Sequence, residues 1–279
     1  MPSDNRFLQI PGALNKILSL NSEERRNGVI TFSAGNHGQG VAAASTIVGC
    51  PSIIVMPKGA AQIKVDNCRW WGAEVVFYNP EQEDREDITK QICERRGMTF
   101  VHPFDDHQII AGQGTVGLEI CEQLSQLSAR PDAVMVNCSG GGLASGVSVA
   151  TKDAYPEASL CLTEIAGFEK WRRSLVSGRP EKSEPVAKTV MDGINGPLVG
   201  TKPLDILLQQ DVRCFSVADE EALSAISLAF RYLKIVVEPA GAASLAALVR
   251  NKSEFSGKTV IVICTGGNVD PAVFCRALS

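Results

Sequence analysis

Ala133-Val-Met-Val-Asn-Cys-Ser-Gly-Gly-Gly-Leu143 decides the fold. A short β-branched run passes through a glycine-rich turn and opens a helix, which is the repeating unit of a parallel sheet covered by helices. Two other places read the same way. Val29-Ile-Thr-Phe32 leads into Ser33-Ala-Gly-Asn-His-Gly-Gln-Gly40, and Val262-Ile-Cys264 leads into Thr265-Gly-Gly-Asn268. Glycine lets backbone approach a ligand closely, and a helix N-terminus offers free N–H groups and a positive dipole end. Ser139 to Leu143 is the strongest of these turns as a phosphate cup.

Working outward, Ser52–Met56, Glu74–Tyr78 and Thr99–His102 read as further strands of a first series, with helices over Ala60–Trp71 and Glu81–Arg96 between them. Ser159–Thr163 and Lys258–Cys264 join Ala133–Asn137 in a second series. Strands alternating with helices predict an α/β protein with parallel sheets. Two series predict two lobes, with the crossover near Pro103 to Ala111. The polar stretch Ser177–Lys188 reads as a surface loop. Open α/β sheets place ligands at the carboxyl ends of their strands, where the glycine-rich turns fall.

The 279 residues are 44% hydrophobic and 21% charged, enough for a large core, which excludes bulk disorder and a disulfide miniprotein. With 27 Lys+Arg against 31 Asp+Glu the net charge is −4, so neither nucleic acid nor a membrane surface is expected as partner. Nine scattered cysteines with no CxxC pair read as reduced thiols. Met1-Pro-Ser-Asp-Asn-Arg6 lacks a signal-peptide pattern, and no apolar run suits a bilayer span. A cytoplasmic location is the expectation.

Several residues have plain readings. His37 reads as a possible turn cap, Glu238 as a possible exposed loop acid, and Trp70-Trp71 as core or lobe-edge packing. His102 and His107 are too few and too poorly spaced for a metal site. A nicotinamide site needs GxGxxG and a following acid. Gly35 to Gly40 runs GxxGxG, and Ser139 to Gly146 spaces its glycines otherwise, so a nucleotide-binding oxidoreductase is disfavoured.

The turns together resemble the fold type II pyridoxal-phosphate enzymes, in the threonine/serine dehydratase (ammonia-lyase) branch, with serine racemase nearby. The matching stretches are Gly12–Lys16, Ser33–Gln39, His102–Asp106, Ile110–Thr115, Ser139–Leu143, Val237–Gly241 and Thr265–Asp270. The resemblance implies the two-lobed architecture of the tryptophan synthase β chain, with the N-terminal part of the large lobe missing. It implies a large-lobe remnant over 1–26, a small lobe over 27–105 and the large lobe over 106–279. The implied cofactor is pyridoxal phosphate. Asn36, Ser139, Gly140, Gly141, Gly142, Leu143, Gly193, Glu238 and Thr265 would bind it, Thr265 facing the pyridine nitrogen. Ser33, Ala34, Gly35, Asn36 and His37 would hold the carboxylate of an amino-acid substrate. The implied reaction is β-elimination of a hydroxy amino acid to a 2-oxo acid and ammonia, in a possible homodimer.

Two positions discriminate within the family, and the start of the chain departs from its pattern. Racemases carry a serine where this chain has Ala34, which favours a dehydratase. Related enzymes bind a divalent cation through an acid like Glu164 and a second acid six residues on. Here that position is Lys170, whose charge would repel the ion, so no metal is expected. The family's Ser-Phe-Lys-Ile-Arg-Gly-Ala becomes Phe7-Leu-Gln-Ile-Pro-Gly-Ala13. Gln9 therefore stands at the lysine that joins the cofactor and removes the α-proton, and no catalytic residue can be assigned with certainty. Lys16, about two turns or ~10 Å along a helix, is too far to replace it. The alternative to an active dehydratase is a lysine-less pseudoenzyme or fragment that binds cofactor or amino acid non-covalently.

Overall fold

The computed structural model describes residues 9–60, 62–184, 186 and 188–279. Its strands form two separate four-stranded sheets, parallel throughout. Two compact units result, one ending at Gln113 and one running Gly114–Ser279.

In the first unit, β1 (Val29–Phe32), β2 (Ser52–Pro57), β3 (Glu74–Tyr78) and β4 (Thr99–Phe100) lie in the order β3-β2-β1-β4. Alternation along β2 builds both faces. Ile54 and Met56 pack with Val29, Val41 and Ile17 beneath α1 (Ile10–Ser19) and α3 (Asn36–Val48). Ile53 and Val55 pack with Ile30, Ile92 and Met98 against α5 (Arg85–Arg96). Between α1 and β1, α2 (Ser22–Asn27) starts with a capping box: the Asn21 side chain accepts from Glu23 N and Glu24 N, and Glu24 accepts from Asn21 N.

The helix expected over Ala60–Trp71 is α4 (Gln62–Trp70), Ala61 lying outside the described residues. The helix expected from Glu81 begins only at Arg85, because the Asp84 carboxylate caps it by accepting from Glu86 N and Asp87 N. Trp70 is not core: it is 77% exposed, edge-on to Trp71. The strands expected over Thr99–His102 and Lys258–Cys264 are shorter than the sequence suggests, covering Thr99–Phe100 and Val260–Val262.

A long helix, α6 (His107–Gln126), follows β4. In the second unit β5 (Ala133–Asn137), β6 (Ser159–Ile165), β7 (Val212–Val217) and β8 (Val260–Val262) take the order β7-β6-β5-β8, the same winding as in the first unit. Ala133 and Met135 face one cluster, with α10 (Asp219–Leu228) and α11 (Pro239–Arg250). Val134 and Val136 face the other, with α7 (Gly142–Ala154), α8 (Lys170–Ser177) and α9 (Thr201–Leu207). The chain ends in α12 (Pro271–Leu278), capped by Asp270. β7 is not among the strands that the sequence predicts. As a sheet-edge strand it is only half-buried from Val212 to Ser216, and Arg213 and Ser216 interrupt its apolar run. Of the expected loop Ser177–Lys188, residues 185 and 187 lie outside the described residues, and Lys182 bridges to Leu198.

Both sheets switch winding direction beside their first strand, between β1 and β4 and between β5 and β8. The carboxyl ends at those switch points are where a parallel sheet opens to a ligand. Among the described residues, no helix is long and apolar enough to cross a membrane.

Candidate functional site

In the second unit the switch point is bordered by the two remaining glycine-rich turns. β5 ends at Asn137, and α7 starts at Gly142 after Gly141 adopts φ +100, a conformation that only glycine takes without strain. The turn is braced from behind. Gly200 N donates to Gly140 O at 3.0 Å, and a Cβ on Gly141 would collide with the indole of Trp171. Trp171 is fully buried, and its Nε1 donates to Ser139 O at 2.6 Å. Among the described residues, the amide N–H groups of Ser139 through Leu143 find no acceptor in the protein. A run of unsatisfied donors at the start of a 13-residue helix calls for an anion.

The opposite lip is held by a network that sequence reading missed. Asn137 Nδ2 donates to Thr265 Oγ1 at 3.1 Å and to Gly241 O at 3.0 Å. Its Oδ1 accepts from Ser244 N at 2.7 Å and Ser244 Oγ at 2.6 Å. Thr265 Oγ1 therefore uses a lone pair on Asn137 and keeps its proton to donate elsewhere. The only available signal was an asparagine closing an apolar strand, since a buried amide must find partners. Thr265 N donates to Gly241 O, and no side chain fits at Gly241, because a Cβ there would run into the Thr265 carbonyl. Glu238 is only 7% exposed, so it is not an exposed loop acid. It precedes Pro239 at the start of α11, and Glu238 Oε1 would lie 3.4 Å from a Cβ on Gly193. Thus Ser139–Leu143, Gly193, Glu238 and Thr265 all belong to the second unit, a hydrogen bond joins Thr265 to Asn137, and the Glu238 carboxylate lies beside Gly193.

In the first unit, Ser33, Ala34 and Gly35 follow β1, and Asn36 and His37 open α3. Ser33 Oγ accepts from Gly35 N at 3.1 Å. His37 is buried, and its Nε2 donates to Val101 O at 3.3 Å, across to the chain after β4 rather than as a cap on its own turn. Burial pushes its pKa down to about 4, against the opposing pull of that hydrogen bond, so the ring is neutral near pH 7. His102 Nδ1 accepts from Asp105 N at 2.9 Å and shapes the Pro103–Asp106 turn.

Gln9 sits immediately before α1. Its Oε1 accepts from Gln113 Nε2 at 2.9 Å, and a Cβ on Gly40 would come within 2.7 Å of the Gln9 Cβ. The side chain expected at the anchoring position is thus packed against α3 and tied to another amide. Lys16 Nζ pairs with Asp106 Oδ2 at 2.7 Å and is committed there.

Glu164 and Lys170, the pair compared with a cation site, are both buried, 1% exposed each. Glu164 accepts from Trp171 N at 2.8 Å and Arg172 N at 3.2 Å, which caps α8. Desolvation raises the Glu164 pKa despite those bonds, and desolvation lowers Lys170 to about 8.

Two parallel sheets of the same winding, with an anion-seeking turn and an oriented hydroxyl at the switch point of the second, define a fold type II architecture. The model of the pyridoxal-phosphate dependent enzymes matches residues 9–266, and this chain belongs to that family. It is 39% identical over 271 residues to an L-threonine ammonia-lyase of Thermotoga maritima, covering 97% of this chain and 66% of that protein. It is 36% identical over 265 residues to a serine racemase of Arabidopsis thaliana, covering 93% of this chain and 78% of the relative. The solved serine racemase of Dictyostelium discoideum superposes with a TM-score of 0.86 at 35% identity, over 94% of this chain and 83% of the other. The chain thus spans just under two thirds of the Thermotoga protein's length. Pyridoxal phosphate is the family's cofactor, and the unsatisfied amides of Ser139–Leu143 fit its phosphate.

Proposed function

We propose that this chain is a threonine/serine dehydratase-like protein that holds pyridoxal phosphate without a covalent anchor. The observation that carries this reading is the Gln9 side chain, hydrogen-bonded to Gln113 where the family's lysine stands. An amide neither forms an imine nor moves a proton at neutral pH. Loss of a general base alone costs on the order of 10²–10⁴-fold in rate.

The remaining residues would take the roles that the family pattern implies. The Ser139–Leu143 amides and the N-terminus of α7 take the phosphate. The Thr265 hydroxyl, oriented by Asn137, would donate to the ring nitrogen, while Glu238 and Gly193 would line the ring edge and Asn36 would bond the ring hydroxyl. The Ser33–His37 turn takes the substrate carboxylate, with His37 neutral. When bound, the cofactor supplies an electron sink for bonds at the amino acid's α-carbon. A neutral hydroxyl partner at Thr265 leaves that sink weak, which suits β-elimination. Ala34, with no acid/base group of its own, favours elimination over racemisation. The substrate class is a β-hydroxy amino acid such as threonine, serine or 3-hydroxyaspartate.

Titration with pyridoxal phosphate followed by borohydride tests this directly. The expected outcome is saturable binding with no lysine labelled, Lys16 included. The Gln9→Lys variant should take up label at position 9 and release 2-oxo acid from threonine or serine. Stoichiometric labelling of a lysine in the parent chain, or parent turnover equal to that of Gln9→Lys, would sink the proposal.

A further inference from the structure

Lys170 is an ammonium group with almost no access to water, on the first residue of α8. Burying such a charge is unfavourable unless it is compensated. The compensation is local: the ammonium lies 4.5 Å from the centroid of the Phe168 ring, and the Glu164 carboxylate attracts it. Glu164 closes β6 and also caps α8, so charge, cap and ring together fix the turn between strand and helix.

That turn runs straight into α8. The next residue is Trp171, whose indole donates to Ser139 O and fills the space beside Gly141 that any side chain would need. The position of the anion-seeking amides therefore depends on where the Lys170 turn places Trp171.

A divalent ion does not suit this place. Both Glu164 oxygens already accept backbone N–H groups, and the neighbouring charge is positive. Among the described residues, no group of three His, Cys, Asp or Glu could hold a metal. We propose that Lys170 is a tethered internal cation: it holds the Glu164–Trp171 turn in the shape that sets Trp171 against the phosphate cup, and the chain takes up no divalent ion there. The part played by the cup rests on the function proposed above. The cation's part does not.

The test measures thermal unfolding of the parent chain and Lys170→Glu with calcium, manganese or a chelator, and pyridoxal-phosphate and inorganic-phosphate affinity in Lys170→Gln and Trp171→Phe. The parent's midpoint should ignore both ions and the chelator, whereas Lys170→Glu should be destabilised and recover with calcium or manganese. Lys170→Gln and Trp171→Phe, folded by circular dichroism, should bind both phosphate probes on the order of tenfold more weakly, as losses of supporting contacts typically do. A parent midpoint raised by calcium or manganese, with the rise lost in Glu164→Gln, would overturn the proposal without any Lys170 variant having to fold. Parent-like phosphate binding by both Lys170→Gln and Trp171→Phe would overturn the positioning role. A parent that binds neither phosphate probe would remove the cup while leaving the ion measurement decisive for the cation.

Discussion

Burial holds His37 neutral, and the consequence is a pH dependence with a definite sign. Its folded pKa is pushed down to about 4 from an ordinary 6.5. Above pH 6.5 neither folded nor unfolded chain protonates it, so its contribution is fully present. Between 6.5 and 4 the unfolded chain takes a proton that the folded chain refuses, and stability falls, by at most about 3 kcal/mol from this side chain. Denaturant titrations of the parent and His37→Asn at pH 7.5 and 4.5 should show a smaller loss in the variant. Equal losses would mean that the ring is protonated in the folded state. The same burial explains what could be read one residue at a time. Ser33–His37, Ser139–Leu143, Glu238 and Thr265 stood out because they follow strands or sit beside glycine and proline. Asn137, Ser244 and Trp171 did not, because their value lies in partners 107 or 32 positions away. Lys170 was visible as a misplaced charge, but its burial was not.

Strand and helix ends carry the next level of control, and glycine is where they touch. At Gly241 the start of α11 meets the turn after β8, backbone against backbone, whereas Gly49, with φ +73 at the end of α3, faces open space. Gly241→Ala should therefore cost on the order of 3 kcal/mol through overpacking. Gly49→Ala should cost only about 1–2 kcal/mol, the left-handed penalty. Because Thr265 moves with Gly241, Gly241→Ala should also lose pyridoxal-phosphate affinity, which Gly49→Ala should retain. Equal stabilities for the two variants would show that the two segments separate at little cost. The continuous apolar strands β1, β2, β5 and β6 were legible because burial on both faces leaves a run of β-branched residues. The edge strand β7 was not, since it is half-buried along most of its length and polar residues break its apolar run. Asp84 moved the start of α5 because a side-chain cap outweighs the helix propensity of Glu81 and Glu83.

Across the chain as a whole, the winding order was not legible, since which strands lie side by side depends on contacts that no short window contains. The cysteines offer a probe of that packing. All nine are free, with Cys50, Cys68, Cys138 and Cys161 buried and Cys275 exposed. Desolvation raises Cys68 and Cys214 to about 12 and Cys161 to about 11, and drives Cys138 well above its ordinary value. Only the thiolate reacts, so these thiols are protected by both access and charge. A thiol-specific chromogenic reagent should therefore titrate Cys275 first in the native chain and all nine only in denaturant, and Cys275→Ser should remove the fast phase. Cys138 lies directly before the Ser139 turn and Cys264 directly before Thr265, so their reaction reports opening of the second unit's switch point. Ligand that binds only the folded state lowers the population of such open forms. Saturating pyridoxal phosphate should slow Cys138 and Cys264 and leave Cys275 unchanged, as read by mass spectrometry of the labelled peptides. Slowing confined to cysteines of the first unit would place the phosphate elsewhere and refute the assignment of Ser139–Leu143 as its cradle.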